Sequence, residues 1–431
     1  MTDISDTQRQ GLMAKILPLA AEHRETLAAY AKAVSGSAGR LIFSLIYFIA
    51  LANALSIAEF GLFATASAAG VMLSRVVAFG FISALYRVAT VKPRLIGTFS
   101  AGFIVLALLS LPVLAAASWL VFLLFFSRDI PLPLFALVIA AEALLWRPAE
   151  VVIIVNNGMG RFGRAAFLVI LAMLIRSVAA VALALLPSPS LASWCWFYLG
   201  ANLVSLAIGV LFFHPRQRLR LRIPLYWRRL PDSLYAAGAD VLFYLQMEFD
   251  KLLVLSLGGP RLAGIYAIVM RLVDLTAIPI RTFSMMLVQK IMRMPQALAR
   301  LKIRVGIETG IFLVSTLALL GFAVVLHFFP NALGRNVAQA ATLIGLVLLV
   351  PGLRNLVEYQ GELLFARGQT FLRAANLALL AATKAALLTW LLVTVTNTEQ
   401  LLLWLNAVFA ALYLVSALFT YSAMRLPSKR A

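Results

Sequence analysis

The stretch that decides the fold is residues 97–126, GTFSAGFIVLALLSLPVLAAASWLVFLLFF, which carries no charged residue. A helix rises about 1.5 Å per residue, so roughly twenty apolar residues are enough to cross the hydrocarbon of a bilayer. Similar apolar runs recur along the 431 residues, of which 63% are hydrophobic and 13% charged. A soluble domain carries about twice that charged fraction. The chain is therefore expected to be an integral membrane protein with helical spans.

The apolar runs predict about twelve spans joined by short connections. They lie at 31–54, 60–86, 97–126, 132–155, 165–186, 192–213, 233–256, 263–288, 306–328, 338–359, 374–395 and 400–423. Lys and Arg test this assignment, because cytoplasmic loops are enriched in them. One alternating set of connections and ends holds 24 of these residues and the other set holds 3. The split predicts a multi-pass inner-membrane protein with both termini in the cytoplasm.

The two halves of the chain resemble each other. Residues 61–87 align without a gap on residues 264–290, an offset of 203, and 160–162 are echoed by 368–370. Such internal repeats are typical of transporters built from two related lobes. The predicted organisation is a cytoplasmic N-terminal segment (1–30), an N-lobe (31–213), a basic cytoplasmic linker (214–232), a C-lobe (233–424) and a cytoplasmic tail (425–431).

The net charge of +20 does not indicate nucleic-acid binding, because the cations lie between apolar segments and not on one soluble face. Orientation in the bilayer and contact with anionic membrane lipids explain the basic residues of 214–230. No lysine follows a glycine, which excludes a Walker A phosphate loop, and the three histidines lack metal-ligand spacing. The sequence therefore predicts neither an enzyme nor a metal site.

Two stretches at equivalent places in the halves resemble a known family. Residues 249–258, FDKLLVLSLG, followed by 263–267, AGIYA, are similar to the junction of the seventh and eighth helices of Wzx-type polysaccharide flippases. Residues 59–64, EFGLFA, resemble the junction of the first and second helices. These flippases belong to the multidrug/oligosaccharidyl-lipid/polysaccharide (MOP) superfamily.

The resemblance implies an all-α integral membrane fold of about twelve helices, in two pseudo-symmetric six-helix lobes around a central cavity. It also implies alternating-access transfer of an undecaprenyl-diphosphate-linked oligosaccharide from the cytoplasmic to the periplasmic leaflet for polysaccharide biosynthesis. Expected partners are that lipid-linked saccharide, membrane lipids, and a polysaccharide polymerase with its assembly proteins. Nucleic acid is not among them.

Ten basic residues fall in or near the predicted spans: Lys32, Arg40, Arg75, Arg147, Arg176, Lys251, Arg271, Arg281, Arg354 and Lys384. A charge at a helix centre costs at least about 2.5–3.5 kcal/mol on insertion scales, so each should face a cavity, pair with an acid or reach the surface. Three of them have an acid three or four residues away on the same helix face. These expected pairs are Arg147 with Glu150, Arg271 with Asp274, and Arg354 with Glu358.

The first lobe holds more cations than acids within its spans, which suits an anionic ligand. A guanidinium stays charged and grips phosphate oxygens through two hydrogen bonds. We therefore expect a positive cavity for the diphosphate, lined by Arg40, Arg75, Arg147 and Arg176. In the flippases that this chain resembles, cavity arginines that include one on the first helix are thought to hold the diphosphate, and Arg40 matches that place. Pairing with second-lobe acids is the structural alternative.

The second lobe holds acids that suit two other roles. Asp240, Glu248, Asp250 and Asp274 lie in or near its spans, where they could bind H⁺ or Na⁺ as a coupling ion or pair with cations of the first lobe. No other cofactor is expected. The alternative functions are a cation-coupled drug antiporter of the same superfamily and a non-transporting scaffold of a polysaccharide assembly complex. The sequence does not choose between uniport and antiport.

Overall fold

The computed structural model describes residues 39–293 and 301–426, and every regular element in these two ranges is a helix. Eight of the helices are long and apolar enough to cross a membrane, and shorter apolar helices accompany them. This arrangement confirms the predicted all-α, multi-pass membrane fold. The predicted N-terminal segment (1–30) and most of the tail (425–431) lie outside the described residues.

The described residues of the first half form eight α-helices, which correspond to its six predicted spans, and residues 31–38 of the first span lie outside the described range. The helices are α1 (Gly39–Ala54), α2 (Ile57–Leu73), α3 (Ile82–Val91), α4 (Ile96–Phe125), α5 (Leu132–Ile139), α6 (Arg147–Gly158), α7 (Phe162–Ala184) and α8 (Leu191–Ile208). Ser56 and Glu59 form a capping box that satisfies the free backbone N–H groups where α2 begins.

Two of these predicted spans are interrupted between two α-helices, and a third, 192–213, ends in a π-helical segment, Gly209–Phe213. A 3-10 segment, Ser74–Gly80, separates α2 from α3, and its backbone is left-handed at Ala78 (φ 55°) and Phe79 (φ 49°). A π-helical turn, Ala140–Trp146, separates α5 from α6. Both interruptions adjoin buried charged residues, because Arg75 lies in the first and Arg147 directly follows the second. Local departures from helix geometry of this kind are common at functional positions.

The second half begins with α9 (Ile223–Arg293), whose 71 residues cover the seventh and eighth predicted spans. Gly259 breaks it, with φ 79°. The hydroxyl of Tyr266 lies 2.7 Å from a carboxylate oxygen of Asp250. A straight helix would separate these residues by about 24 Å, so the chain folds back at the glycine. The remaining helices are α10 (Leu301–Phe328), α11 (Arg335–Ala341), α12 (Val350–Ala366), α13 (Thr370–Thr394) and α14 (Thr398–Ala423).

The tenth predicted span, 338–359, differs from the structure. It is divided between α11, a 3-10 turn at Ile344–Val347, and α12, which continues to Ala366. Pro351 accounts for the division, since it has no backbone N–H to donate and is tolerated only in the first turn of a helix, where α12 places it.

The backbone repeats at the second pair of matching sequences. Gly160 and Gly368 end α6 and α12 with the same φ of 71°. In each case the next residue donates its N–H five residues back, from Arg161 to Asn156 (2.8 Å) and from Gln369 to Leu364 (3.0 Å). These are the bonds of a glycine-terminated helix end. The pseudo-symmetry expected from the sequence is therefore present in the structure at an offset of 208 residues.

The first pair of matching sequences lies where the lobes meet. Gly61 of α2 packs on the backbone of Pro260 and Gly264 in α9, so closely that a methyl group at Gly61 or Gly264 would overlap main-chain atoms. Residues related by a twofold axis touch each other only beside that axis. The contact between Gly61 and Gly264, which the 203-residue offset relates, therefore marks the pseudo-twofold axis.

A polar contact joins the lobes near this point. The side chain of Asn336 donates to the carbonyl oxygens of Ala52 (2.5 Å) and Leu55 (2.6 Å), and that of Asn53 donates to the carbonyl oxygen of Leu333 (2.9 Å). The most apolar stretch of the span that contains α2 is 67% buried and that of Ile223–Ala277 in α9 is 56% buried, the two highest values of the eight, whereas that of the span that contains α4 is 17% buried. The helices at the lobe interface are thus central, and α4 is peripheral.

Candidate functional site

Two buried arginines of the first lobe share one carboxylate. Nη1 of Arg147 lies 2.6 Å from Oε2 of Glu150, and Nη1 of Arg75 lies 3.2 Å from the same oxygen. The guanidinium of Arg75 also stacks on the ring of Tyr244 in α9, at 4.1 Å from its centroid. The expected pairing of Arg147 with Glu150 is confirmed, but Glu150 neutralises only one of its two cations. Asp240, which is mostly exposed, lies 3.9 Å from Arg147 and adds weak compensation.

Arg176 of α7 is buried against neutral partners. Its guanidinium donates to Oδ1 of Asn202 at 2.5 Å and 3.2 Å, and it stacks on Trp146 at 4.2 Å from the ring centroid. Glu142 accepts instead from the hydroxyls of Ser67 (2.6 Å) and Tyr198 (2.5 Å). Aromatic faces attract cations without neutralising them. The charge of Arg176 therefore has no carboxylate in contact with it among the described residues.

Arg40 is the exposed member of the predicted set. It makes no hydrogen bond or ion pair with any residue in the described ranges, and the titratable groups that act on it most are other arginines, Arg271, Arg281 and Arg176, followed by Tyr244. Arg271 reaches from α9 to donate a hydrogen bond to Ser44, one turn beyond Arg40 on α1. The side chain of Arg271 from the second lobe therefore meets α1 about one helical turn from Arg40, at the lobe interface.

Two arginines of the second lobe are paired with acids that the helix spacing does not predict. Arg354 lies 2.9 Å from Asp274, and Arg281 lies 2.8 Å from Glu358. The expected pairs of Arg271 with Asp274 and of Arg354 with Glu358 are therefore wrong. Helix spacing brings such residues onto one face, but packing against a neighbouring helix offers closer partners, and in both cases the partner is on the other helix.

Three of the four predicted acids, Glu248, Asp250 and Asp274, act on the same cations of the second lobe, Lys251 and Arg354, whereas Asp240 contacts the first lobe. Asp240 lies at Arg147, the one contact among them that joins the two halves of the chain, and Glu248 pairs with Lys251 one turn away. Asp250 is 2.8 Å from Nζ of Lys384, and Asp274 binds Arg354. Glu248, Asp250 and Asp274 therefore already hold cations of the same lobe.

A cavity of about 250 Å³ lies among α9, α12 and α13. Phe243, Met247 and Ile280 supply apolar surface, and polar groups come from Gln246, Arg281, Ser284, Asn355, Glu358, Glu362 and Arg373. Its two carboxylates are paired, Glu358 with Arg281 and Glu362 with Arg373 at 2.7 Å. The side chain of Arg281 is nevertheless 47% exposed, so it can also contact a ligand.

One comparison with known proteins shows the family of this chain, and another shows its fold. Residues 50–292 match the model of a family described as polysaccharide biosynthesis protein. A search of curated proteins gives no match. Among solved structures, the chain is similar to a multidrug resistance MATE family transporter of the MOP superfamily in its inward-facing conformation. The TM-score is 0.63 at 14% identity, covering 90% of this chain and 94% of that one.

A second solved structure, of MATE in complex with MaD3S, gives a TM-score of 0.55 at 12% identity, with 92% and 94% of the two chains covered. At such low identity these likenesses establish the fold alone. The family match covers more than half of the chain and overlaps both stretches that carry the sequence resemblance. The resemblance is thus confirmed for family and fold, and the chain belongs to the polysaccharide biosynthesis protein family and has the two-lobe fold of the MOP transporters.

Proposed function

We propose that the protein is an alternating-access transporter that flips an undecaprenyl-diphosphate-linked oligosaccharide from the cytoplasmic to the periplasmic leaflet of the bacterial inner membrane. The observation that carries the proposal is a pair of cations at the lobe interface, exposed Arg40 and its neighbour Arg271, for which the described residues supply no carboxylate partner. A charge inside the membrane is costly, so an anionic ligand between the lobes accounts for its presence.

The chemistry of a diphosphate fits this arrangement. It carries roughly two negative charges, and a guanidinium can hold two of its oxygens at once. Arg40 and Arg271 supply two positive charges from opposite lobes, so one bound diphosphate would bridge the lobes and neutralise both. Arg281 is also among the charges that act on Arg40, although it binds Glu358.

The other three predicted arginines contribute through their field. Arg75, Arg147 and Arg176 are 5%, 3% and 7% exposed, so they are not open to a ligand in this conformation. These three arginines outnumber the two carboxylates within the spans of the lobe, Glu142 and Glu150, and Arg176 is among the charges that act on Arg40. In a low-dielectric interior such charges act over longer distances than in water. We therefore assign direct contact to Arg40 and electrostatic attraction to the buried three.

The membrane potential supplies the driving force in this proposal. Moving two negative charges outward, down an inside-negative potential of about 100 mV, is favourable by about 4–5 kcal/mol. No chemical reaction is required of the protein, in keeping with a family and a fold of transporters.

The drug antiporter fits the MATE likeness equally well, and a scaffold requires no transport at all. An antiporter for cationic drugs needs a carboxylate that is free to meet the drug. In the cavity of the second lobe Glu358 and Glu362 are both bound to arginines, and the interface between the lobes presents Arg40. These contacts favour an anionic substrate over a cationic one.

Reconstitution into liposomes separates the three functions. Undecaprenyl-diphosphate saccharides would be placed in one leaflet, a potential imposed with valinomycin, and the sugar exposed on the other leaflet scored with an impermeant glycosidase. We expect flipping that reverses with the sign of the potential, and no movement of an uncharged polyprenyl glycoside. Efflux of a cationic dye without lipid flipping would establish the antiporter instead, and movement of neither substrate would favour the scaffold.

A further inference from the structure

A second buried charge pair of the second lobe lies outside the proposed substrate site. Asp250 of α9 and Lys384 of α13 are 2% and 4% exposed, and Nζ of Lys384 lies 2.8 Å from Oδ2 of Asp250. Neither residue lines the cavity at Arg281 or contacts Arg40. Burying such a pair brings little net stability relative to apolar residues of the same volume. Stability therefore does not explain the pair, whereas the groups that surround the ammonium of Lys384 indicate a role.

The ammonium of Lys384 is held by oxygen atoms. It donates to Oδ2 of Asp250 and, at 2.9 Å, to the backbone carbonyl oxygen of Gln246. The hydroxyl of Tyr266 also donates to Oδ2 of Asp250, at 2.7 Å, and the ring of Phe409 closes the pocket with its centroid 5.8 Å from Nζ. Carboxylate and backbone carbonyl oxygens are the ligands that proteins use for hard cations, Na⁺ in transporters among them.

We propose that this pocket is a monovalent-cation site whose cation belongs to the chain, because the ammonium of Lys384 occupies the position that Na⁺ or K⁺ would otherwise take. With Lys384 shortened, the carboxylate of Asp250, the carbonyl oxygen of Gln246 and the hydroxyl of Tyr266 would face a vacated space large enough for an alkali metal ion and water. The pocket would then bind such an ion from solution.

The first lobe supplies the contrast that supports this reading. Arg176 precedes Lys384 by 208 residues, the separation that also relates Gly160 to Gly368, yet it lies against the amide of Asn202 and not against a carboxylate. A cation at this place in the repeat therefore does not need an acid to be accommodated. The acid in the second lobe is a separate feature, and it creates a cation site.

The neighbouring acids agree with this assignment. Glu248 binds Lys251 and Asp274 binds Arg354. These two acids of α9, which were also expected to bind a coupling ion, are therefore each in contact with a cationic side chain of the protein. The inference does not depend on the proposed function. If the protein flips lipids, it follows that flipping needs no Na⁺ at Asp250.

Thermal unfolding of the purified full-length protein in detergent tests the proposal, with NaCl, KCl or choline chloride at equal ionic strength. The wild type should unfold at the same temperature in all three salts. Lys384→Ala should unfold at a lower temperature in choline and regain roughly 2–4 °C, saturably, in Na⁺ or K⁺. Adding Asp250→Asn should remove that response. Arg176→Ala is the matched control, and it should show none because Asn202 offers no carboxylate.

Equal unfolding temperatures of Lys384→Ala in all three salts would overturn the proposal. So would a saturable Na⁺ response of the wild type that Asp250→Asn abolishes. Lys384→Ser, which supplies a hydroxyl oxygen, is a second variant with the same expected response. If neither variant accumulates in cells, where K⁺ is abundant, while the charge-neutral Lys384→Met, Asp250→Asn variant does, then a free cation does not replace the ammonium and the proposal fails.

Discussion

The two lobes carry a cation at the same position of the repeat and surround it differently. In the second lobe Lys384 lies against the carboxylate of Asp250, and the position is neutral as a whole. In the first lobe Arg176 lies against an amide and the indole of Trp146, and its charge remains. Both residues are buried, so packing alone does not explain the difference. The comparison indicates that a shared architecture tolerates either charge state and that the first lobe keeps the positive one.

A second pair of equivalent residues shows the same asymmetry. Glu150 and Glu358 are related by the 208-residue offset, and each binds an arginine from an earlier helical segment, Arg75 in one lobe and Arg281 in the other. Glu150 also binds Arg147, so two buried arginines depend on it, whereas the side chain of Arg281 is 47% exposed. The acid of the first lobe thus binds two buried cations, whereas its counterpart in the second lobe binds one cation that is partly exposed.

The largest expected effect comes from breaking the neutral position. Asp250→Asn leaves the ammonium of Lys384 buried without a counter-charge, and the free energy of unfolding should fall by about 3–5 kcal/mol. Equilibrium unfolding in detergent measures this, with Lys384→Met, Asp250→Asn as a control that should lie near the wild type. A single variant as stable as the wild type would show that the pair is not an ionic contact.

The next effect separates the two equivalent glutamates. Glu150→Gln should lower the free energy of unfolding by about 2–3 kcal/mol, because two buried guanidinium groups lose their carboxylate. Glu358→Gln should cost about 1 kcal/mol or less, since solvent screens the exposed Arg281. The same unfolding measurement on both variants gives the order. Equal losses, or a larger loss for Glu358→Gln, would contradict the asymmetry.

Giving the first lobe the acid of the second should change transport and not stability. Asn202→Asp places a carboxylate on Arg176, as Asp250 is placed on Lys384, and the protein should fold at least as well as the wild type. The new carboxylate would cancel the positive charge of Arg176 that acts near Arg40. The initial rate of flipping should then fall by about tenfold for each 1.4 kcal/mol of lost attraction between the protein and the diphosphate. Asn202→Ser, which stays neutral, is the control. Normal flipping by a folded Asn202→Asp would mean that the charge of Arg176 has no part in transport.

The smallest effect tests the repeat itself. Gly160→Ala and Gly368→Ala each place a side chain on a backbone with φ of 71° and should cost about 1 kcal/mol, equally in the two lobes. Gly200→Ala in α8, where an added methyl group meets open space, should instead be neutral or slightly stabilising. Unequal costs at the two glycines would indicate that the helix ends are not equivalent in stability.

The spans and the repeat could be read from the sequence because both depend on local patterns. A run of about twenty apolar residues predicts a helix that crosses the bilayer. A glycine directly after such a run predicts where the helix ends, as at Gly160 and Gly368. The breaks inside the second and tenth spans were less accessible. Pro351 signals one of them, but the left-handed Ala78 and Phe79 carry no sequence signal, because residues with side chains adopt that backbone only when surrounding packing imposes it.

The candidate site was predictable only in part. Composition shows which charges lie in the membrane, and the excess of cations in the first lobe pointed to Arg40. Partner choice depends on contacts between helices, and Asp250 and Lys384 are 134 residues apart in the chain. The three-residue spacing predicts a pair between Arg271 and Asp274, so the sequence does not indicate that Arg271 belongs to the candidate site. For Arg40 the sequence does give a signal, because no acid lies within four residues of it on the first predicted span.

The measurement that tests the central claim most directly is the flipping rate of Arg40→Ala, Arg271→Ala in liposomes under an imposed potential. The account predicts that this variant inserts and unfolds like the wild type but loses flipping of the undecaprenyl-diphosphate saccharide. It also predicts partial activity for Arg40→Lys, Arg271→Lys, whose ammonium groups lack the two-pronged hydrogen bonds, and normal activity for Arg128→Ala, an exposed arginine in the connection before α5. Wild-type flipping by the folded double alanine variant would contradict the account.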